Sequence, residues 1–299
     1  MNRAIKTIFS FESAFVLFLF AGRYKNDPRF EWVPIDLTVL FLLISVAAGI
    51  WVLYKRRFRF RRQALVLTGL FVLFIAYAMF SYFWTPSTAY ATEKLGYLSI
   101  LTLWPFLACA LIIGNDVGRF QRFALVLAGL SVWFVIEALI AFSIATIPGQ
   151  QIDALGSRYL GLGRVIGPAA IIFIVYGTML ARKGMSRALA LLMFGGYVLT
   201  LLLIGGRGPF LATVLPLLIP LYYGVDVHFL RGRVRVRRYI APLFVIVIIG
   251  VVFAISFGSA EVFSTIKRLA LLFGALGSSA SVRLEMYGDA VDIWARHPL

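Results

Sequence analysis

The stretch LLLIGGRGPFLATVLPLLIP, residues 201–220, places a single charge, Arg207, between two apolar runs. Whether those runs lie in a membrane decides the fold. Of the 299 residues, 61% are hydrophobic and only 14% are charged, which is too little polar surface to cover a soluble protein of this length. The composition therefore predicts an all-α fold, a polytopic transmembrane helical bundle.

The number of membrane crossings follows from the length of the apolar segments. A hydrocarbon core about 30 Å thick needs roughly 20 helical residues to cross it. Nine segments meet or approach that length, namely 5–22, 33–54, 64–84, 97–113, 123–147, 167–181, 188–204, 209–223 and 239–257. The first one resembles a signal peptide, but Glu12 interrupts it and no cleavage pattern follows, so we expect a retained helix.

The basic residues define the orientation of these segments. If the N-terminus is cytoplasmic, 18 of the 29 lysines and arginines fall on cytoplasmic segments and 11 on outer ones. The densest clusters, KRRFRFRR and RGRVRVRR, are then both inside, as the positive-inside rule requires. The net charge of +16 thus indicates topology and contact with membrane lipids, and we expect no nucleic-acid partner.

Four arginines fall in the predicted outer loops and need another explanation: Arg158, Arg164, Arg207 and Arg283. They either reach lipid phosphates from the membrane interface or recognise an anionic substrate. Arg207 is the clearest case, because a glycine pair before it ends one segment and a proline two residues later begins the next. It would lie beside a helix N-terminus, where free N–H groups and the helix dipole favour an anion.

The last stretch, SSASVRLEMYGDAVDIWARHPL (residues 278–299), is more polar than the rest. It predicts a helix that Ser281 caps, that runs from Val282, and that ends before Pro298. Its apolar stripe would contain Met286, Tyr287, Ala290, Ile293 and Trp294.

With these residues the sequence resembles the O-antigen ligase and polymerase superfamily, whose members join lipid-carried glycans outside the inner membrane. The family pattern is an Arg-Gly pair opening a late span, then Ser and Arg, a helix, and His-Pro at the start of a large periplasmic loop. Here it matches Arg207-Gly208, Ser281, Arg283 and His297-Pro298. The stretches SYFWTPSTAYATEKL (81–95) and SRYLGLGRVIG (157–167) are similar to two other family loops. Residues 1–257 would then form the transmembrane domain, and 258–299 the beginning of the large loop.

The resemblance implies an activity and a set of residues. A glycan is transferred from undecaprenyl diphosphate to an acceptor hydroxyl on another glycan or on a lipid A core, with no metal or cofactor. Arg207 and Arg283 would be catalytic, and Arg158, Arg164 and Gly208 would bind substrate. A repeat polymerase of the same superfamily is the alternative. The chain ends at Leu299, before the histidine that the family uses, so we expect either a fragment of a longer protein or a truncated form.

Glu137 is an ionisable residue near the middle of the fifth segment, where a charge is costly. In one interpretation it is protonated and hydrogen-bonded to a neighbouring helix. In the other it is part of a proton-coupled transport site, which makes a secondary transporter the competing hypothesis. The internal repeat typical of many transporters is not evident in the sequence.

Overall fold

The computed structural model describes residues 10–85, 88–145, 152–181, 184–217, 225–228, 233–236 and 278–296. A first helix, α1, is Phe11–Tyr24. Among the described residues, six further helices are long and apolar enough to cross a membrane: α2 (Leu37–Lys55), α3 (Arg62–Trp84), α4 (Ala89–Ile113), α5 (Val117–Ile144), α6 (Tyr159–Thr178) and α7 (Gly184–Leu203). Two other helices in the described part are α8 (Arg207–Val214) and α9 (Ser278–Arg296).

These six helices correspond to the second through the seventh predicted segments, which confirms a helical, membrane-embedded protein. The other three segments are described only in part. The first predicted segment overlaps α1 but starts in residues 1–9, outside the described residues. The eighth overlaps α8, includes a short 3-10 turn, Leu215–Leu217, and ends outside the described residues. The ninth, 239–257, lies entirely outside, so the count of nine stays a prediction.

Several helices begin earlier than the apolar pattern predicts. α6 begins at Tyr159, whose N–H donates to Asp153 Oδ1 at 2.9 Å, and Arg164 is therefore a helix residue rather than a loop residue. α5 begins at Val117, which places Arg119 inside a helix as well. Polar side chains at helix ends end an apolar run without ending the helix, so hydropathy places the boundary too far inside. α9 likewise begins at Ser278, three residues before the predicted cap at Ser281.

One short hairpin qualifies the all-α expectation. Strands β1 (Val225–His228) and β2 (Arg233–Val236) pair antiparallel, with Val225 opposite Val236 and His228 opposite Arg233. The second strand lies within the basic cluster RGRVRVRR. The alternation of arginine and valine has the two-residue period of a strand, and it contains no helical stripe. The basic cluster RGRVRVRR therefore indicates a strand as well as membrane topology.

The chain divides into two compact units, Met1–Leu130 and Ser131–Leu299, with the boundary inside α5. The first unit has an aromatic core in which Phe11, Phe15 and Phe18 of α1 pack with Ala108, Ile112 and Ile113 of α4. Trp104 of α4 also meets α2, where its Nε1 donates to Ser45 Oγ at 2.8 Å. Gly49, one turn further along α2, leaves room for the indole, because an added Cβ would lie 2.5 Å from Trp104 Cη2.

The connection between α1 and α2 brings their adjacent ends together. Asp36 caps α2 by accepting from the Thr38 N–H at 2.7 Å, and it also accepts from Lys25 Nζ at 2.5 Å. The lysine hydrogen bond, more than the Thr38 N–H, lowers the pKa of Asp36 to about 2 despite some opposing desolvation. α1 and α2 therefore form a helical hairpin, and the start of α1 lies near the end of α2.

The second unit packs around α6. About 56% of the most apolar stretch of α6 is buried, against 6% for the corresponding stretch of α3 in the first unit. α6 is therefore surrounded by protein, whereas α3 presents its apolar side chains outward, as to lipid. A buried hydrogen bond of 2.8 Å joins Ser131 Oγ of α5 and the Tyr197 hydroxyl of α7. In this way two membrane helices are linked by a polar contact that no lipid can replace.

Candidate functional site

Close packing between α6 and α8 defines the site. An added Cβ on Gly163 would lie 2.5 Å from Pro209 Cβ, and one on Gly167 would lie 2.7 Å from Thr213 Oγ1. The two glycines are four residues apart, so they lie on one face of α6 and allow the backbone of α8 to approach closely. The glycines of GLGRVIG thus position the start of α8 against the first turns of α6.

A cavity of about 410 Å³ lies at this contact, and the described residues that line it belong to α6 and α8. Its lining is mainly apolar, with Leu160, Ile171 and Ala212 among the contributors. Two of the predicted site residues, Arg164 and Gly208, also line it. The Arg164 guanidinium beside an apolar lining suits a ligand that has an anionic group and a hydrocarbon chain.

The start of α8 adds further positive potential to this cavity. Gly206 is the N-cap residue and offers no side chain, and Gly205 before it has φ 85°, a conformation that favours glycine. The N–H groups of Arg207 and Gly208 lie in the first turn, where no intrahelical acceptor exists. These N–H groups and the helix dipole favour a negative charge at the mouth of the cavity.

Arg164 is exposed, and its side chain makes no hydrogen bond or ion pair with any residue in the described ranges. Arg158 is also exposed, but it is the N-cap residue of α6 and does not line the cavity. Arg164 is thus the described arginine whose charge is available to a ligand in this cavity.

The remaining predicted residues are placed only in part. Arg207 begins α8 and Arg283 lies in the second turn of α9, but both side chains fall outside the described part of the chain. His297 and Pro298 lie outside it as well. Of the apolar stripe predicted for α9, Met286 and Ile293 are both strongly exposed, at 63% each.

Glu137 has a partner on its own helix. Trp133 Nε1, one turn earlier in α5, donates to Glu137 Oε1 at 3.0 Å, and the side chain is half-buried. This hydrogen bond lies within α5, and the expected bond from Glu137 to a neighbouring helix stays a prediction. Among the described residues, no group of three or more His, Cys, Asp or Glu side chains could hold a metal ion.

Sequence reasoning missed a second charged cluster, in the first unit. Glu12 is fully buried and accepts hydrogen bonds from Arg119 Nη1 at 2.9 Å and from Arg122 Nη2 at 3.1 Å. Next to it, Arg56 Nη2 donates to Asp116 Oδ2 at 2.5 Å. The available signal was the acidic residue in an apolar run, which in a membrane protein indicates a partner.

No family model, curated protein or solved structure matches this chain. Its class is therefore defined by the structure alone. Six span-length helices and the lipid-like exposure of their apolar side chains make it a polytopic helical membrane protein.

Proposed function

We propose that this protein is a membrane glycosyltransferase of the O-antigen ligase type. In this proposal it takes a glycan from an undecaprenyl diphosphate carrier and joins it to an acceptor hydroxyl, which a second glycan or a lipid A core supplies. The observation that carries the proposal is the α6–α8 cavity, which Arg164 and Gly208 of the first turn of α8 both line, and in which Arg164 has no partner among the described residues.

The chemistry of such a donor suits this cavity. When the glycosidic bond breaks, the leaving group is a diphosphate, and negative charge builds on its oxygens. Fixed guanidinium groups and first-turn N–H groups aimed at those oxygens stabilise the transition state without reorganising. The apolar lining from Leu160 and Ile171 offers contact to the first isoprenoid units of the carrier. Arg207 and Arg283 complete the proposed catalytic set, and Arg158 has a lesser role because it lies outside the cavity.

The proposal includes a topology. Nine spans with a cytoplasmic N-terminus place the start of α8 on the periplasmic side of a bacterial inner membrane, where the lipid-linked glycan would be displayed. Residues 258–299 then begin a periplasmic loop. The same residues and topology serve a repeat polymerase, which differs only in using a growing glycan as one substrate.

The test is a binding and transfer assay on the full chain in lipid nanodiscs. The protein should bind undecaprenyl diphosphate more tightly than undecaprenol, because the alcohol lacks the anion that Arg164 would contact. Arg164→Gln should weaken binding of the diphosphate by about fivefold or more, as expected for one cation at a lipid phosphate. Arg158→Gln is the matched control, since it removes an exposed arginine six residues away and should change binding less.

Transfer is then measured with a lipid-linked oligosaccharide and an acceptor, without ATP or a divalent metal. A larger conjugate supports the proposal. Equal binding of diphosphate and alcohol, together with no conjugate, would refute it. Proton-driven solute uptake into vesicles that Glu137→Gln abolishes would establish the competing transporter.

A further inference from the structure

The buried Glu12 cluster leaves two polar groups unused. Glu12 Oε1 takes both arginine hydrogen bonds, while Glu12 Oε2 has no hydrogen-bond partner among the described residues. Arg119 Nε is also buried without a hydrogen bond there, and it lies 3.9 Å from Asp116 Oδ2. A buried acceptor and a buried donor without partners are costly unless a ligand or water satisfies them.

A cavity of about 890 Å³ lies between α1 and α2, and both Glu12 and Arg119 are among its lining residues. Its charged end contains Glu12, Lys55, Arg119 and Arg122. The rest of the cavity is mainly apolar and follows one face of α2, where lining residues recur every three or four positions. This stripe consists of Phe41, Ile44, Ala48 and Trp51, and it leads to Lys55 at the charged end. From Phe41 to Lys55 this stripe is about 21 Å long at the rise of an α-helix. The cavity thus has a charged head and a long apolar stem.

The charges select the kind of ligand. Three cations and one carboxylate line the described part of the cavity, which leaves two positive charges in excess. A phosphate oxygen could accept from Arg119 Nε, Lys55 and Arg122. The free Glu12 oxygen repels a bare phosphate and needs a donor, which a hydroxyl on the same headgroup supplies.

We propose that this groove binds one anionic phospholipid whose headgroup carries hydroxyls beside a phosphodiester, as phosphatidylglycerol does. The phosphate contacts the three cations, a headgroup hydroxyl donates to Glu12 Oε2, and an acyl chain lies along α2. The site belongs to the unit before residue 131, whereas the proposed glycan-donor site belongs to the other unit. It therefore stands or falls independently of the proposed activity.

The experiment uses the full chain, stripped of lipid in a neutral detergent, and native mass spectrometry with added phosphatidylglycerol, phosphatidic acid or phosphatidylcholine. We expect one tightly held phosphatidylglycerol and weaker retention of the other two. Lys55→Gln should weaken this binding about fivefold, and so should Arg122→Gln. Arg59→Gln is the matched control, because Arg59 is an exposed arginine of the next loop and does not line the groove.

Two further arms distinguish the alternatives. Glu12→Gln should narrow the preference for phosphatidylglycerol over phosphatidic acid, because it removes the charge that repels a bare phosphate. Free glycerol 3-phosphate should not compete at concentrations where the lipid saturates, because it lacks an acyl chain.

If Arg122→Gln fails to fold, Lys55→Gln still tests the proposal, since Lys55 lies outside the Glu12 ion pairs. Equal retention of phosphatidylcholine, full competition by glycerol 3-phosphate, or equal losses in Lys55→Gln and Arg59→Gln would each overturn it.

Discussion

Gly163 of α6 faces Pro209 of α8 so closely that a Cβ added to the glycine would lie 2.5 Å from the Cβ of the proline. A proline ring cannot rotate away as a long side chain can, so this contact fixes the distance between the two helices. The cavity that contains Arg164 and Gly208 depends on that distance.

Gly163→Ala should therefore destabilise the second unit by about 1–3 kcal/mol, the usual cost of overpacking. Thermal unfolding of the purified protein in detergent measures the effect, and undecaprenyl diphosphate binding should weaken in parallel. Gly195→Ala in α7 is the control, since an added Cβ there meets nothing within 4 Å. A Gly163→Ala protein as stable as the parent would contradict the close contact.

Arg207→Lys should lose most transfer activity while membrane insertion and abundance stay near normal. If Arg207 holds the diphosphate of the donor, lysine cannot replace its planar two-pronged hydrogen bonding. Arg207→Ala should lose more, by about 2.7–4 kcal/mol of transition-state stabilisation, by analogy with oxyanion donors. The measurements are transfer rate and membrane abundance.

Arg29 provides the comparison for Arg207, because it lies in the loop after α1 and is paired with Asp27 at 2.8 Å. Arg29→Ala should have little effect on transfer. If Arg207 only reaches a lipid headgroup, lysine would substitute freely. A fully active Arg207→Lys enzyme would thus remove the catalytic role proposed for this residue.

Tyr197→Phe should destabilise the protein by about 0.6 kcal/mol, and at most about 1.7, the range measured for hydrogen bonds between membrane helices. The change removes the hydroxyl that meets Ser131 and keeps the ring, which packs edge-to-face on Phe173. Tyr54→Phe removes a hydroxyl from an exposed tyrosine and should be neutral. A double-mutant cycle with Ser131→Ala measures the pairwise energy, and no coupling would show that the contact contributes nothing.

Reporter fusions after Arg62 and after Ser279 should lie on opposite sides of the membrane. The expectation rests on the distribution of positive charge, which places the first position inside and the second outside. Alkaline phosphatase and a fluorescent protein distinguish the two sides. The same side for both positions would overturn the proposed topology.

The ion pair between Asp36 and Lys25 should make stability depend on acid. The pKa of Asp36 is about 2 in the folded protein, below its ordinary value of 3.8. Its stabilising contribution is therefore fully present above about pH 4 and is lost as the pH falls toward 2. The thermal midpoint should fall over that window in the parent and fall less in Asp36→Asn. If the thermal midpoint falls equally with pH in both proteins, Asp36 does not contribute to the free energy of unfolding.

The membrane helices could be predicted from the sequence because side chains that face lipid are apolar, so each span forms a long apolar run. Leu43, Leu70 and Leu73 are each more than half exposed, as expected for side chains that contact lipid hydrocarbon. Helix ends were predicted less well, as the early start of α6 at Tyr159 shows. A helix continues through polar residues whenever its backbone remains bonded, and hydropathy does not record that.

Contacts between distant residues could not be predicted at all. Glu12 and Arg119 are 107 positions apart, and nothing in either local pattern indicates that they meet. The same holds for Gly163 and Pro209, although the four-residue spacing of Gly163 and Gly167 puts both glycines on one face of a helix. The outer-loop position predicts Arg164 as a site residue and the family resemblance implies Gly208, but only the fold places the two residues in one cavity.

α4 contains two wide π-helical turns, Tyr97–Thr102 and Ala108–Ile113, and the second closes with the Gly114 N–H bonded to the Cys109 carbonyl at 2.8 Å. Each such turn holds one residue more than an α-helical turn. Losing one codon there would restore a regular turn and leave the flanking segments of the helix in place. Elsewhere in α4 the same deletion would rotate everything after it by about 100°. Deletion of a single codon should therefore be tolerated at these two places in α4 far better than elsewhere in the same helix.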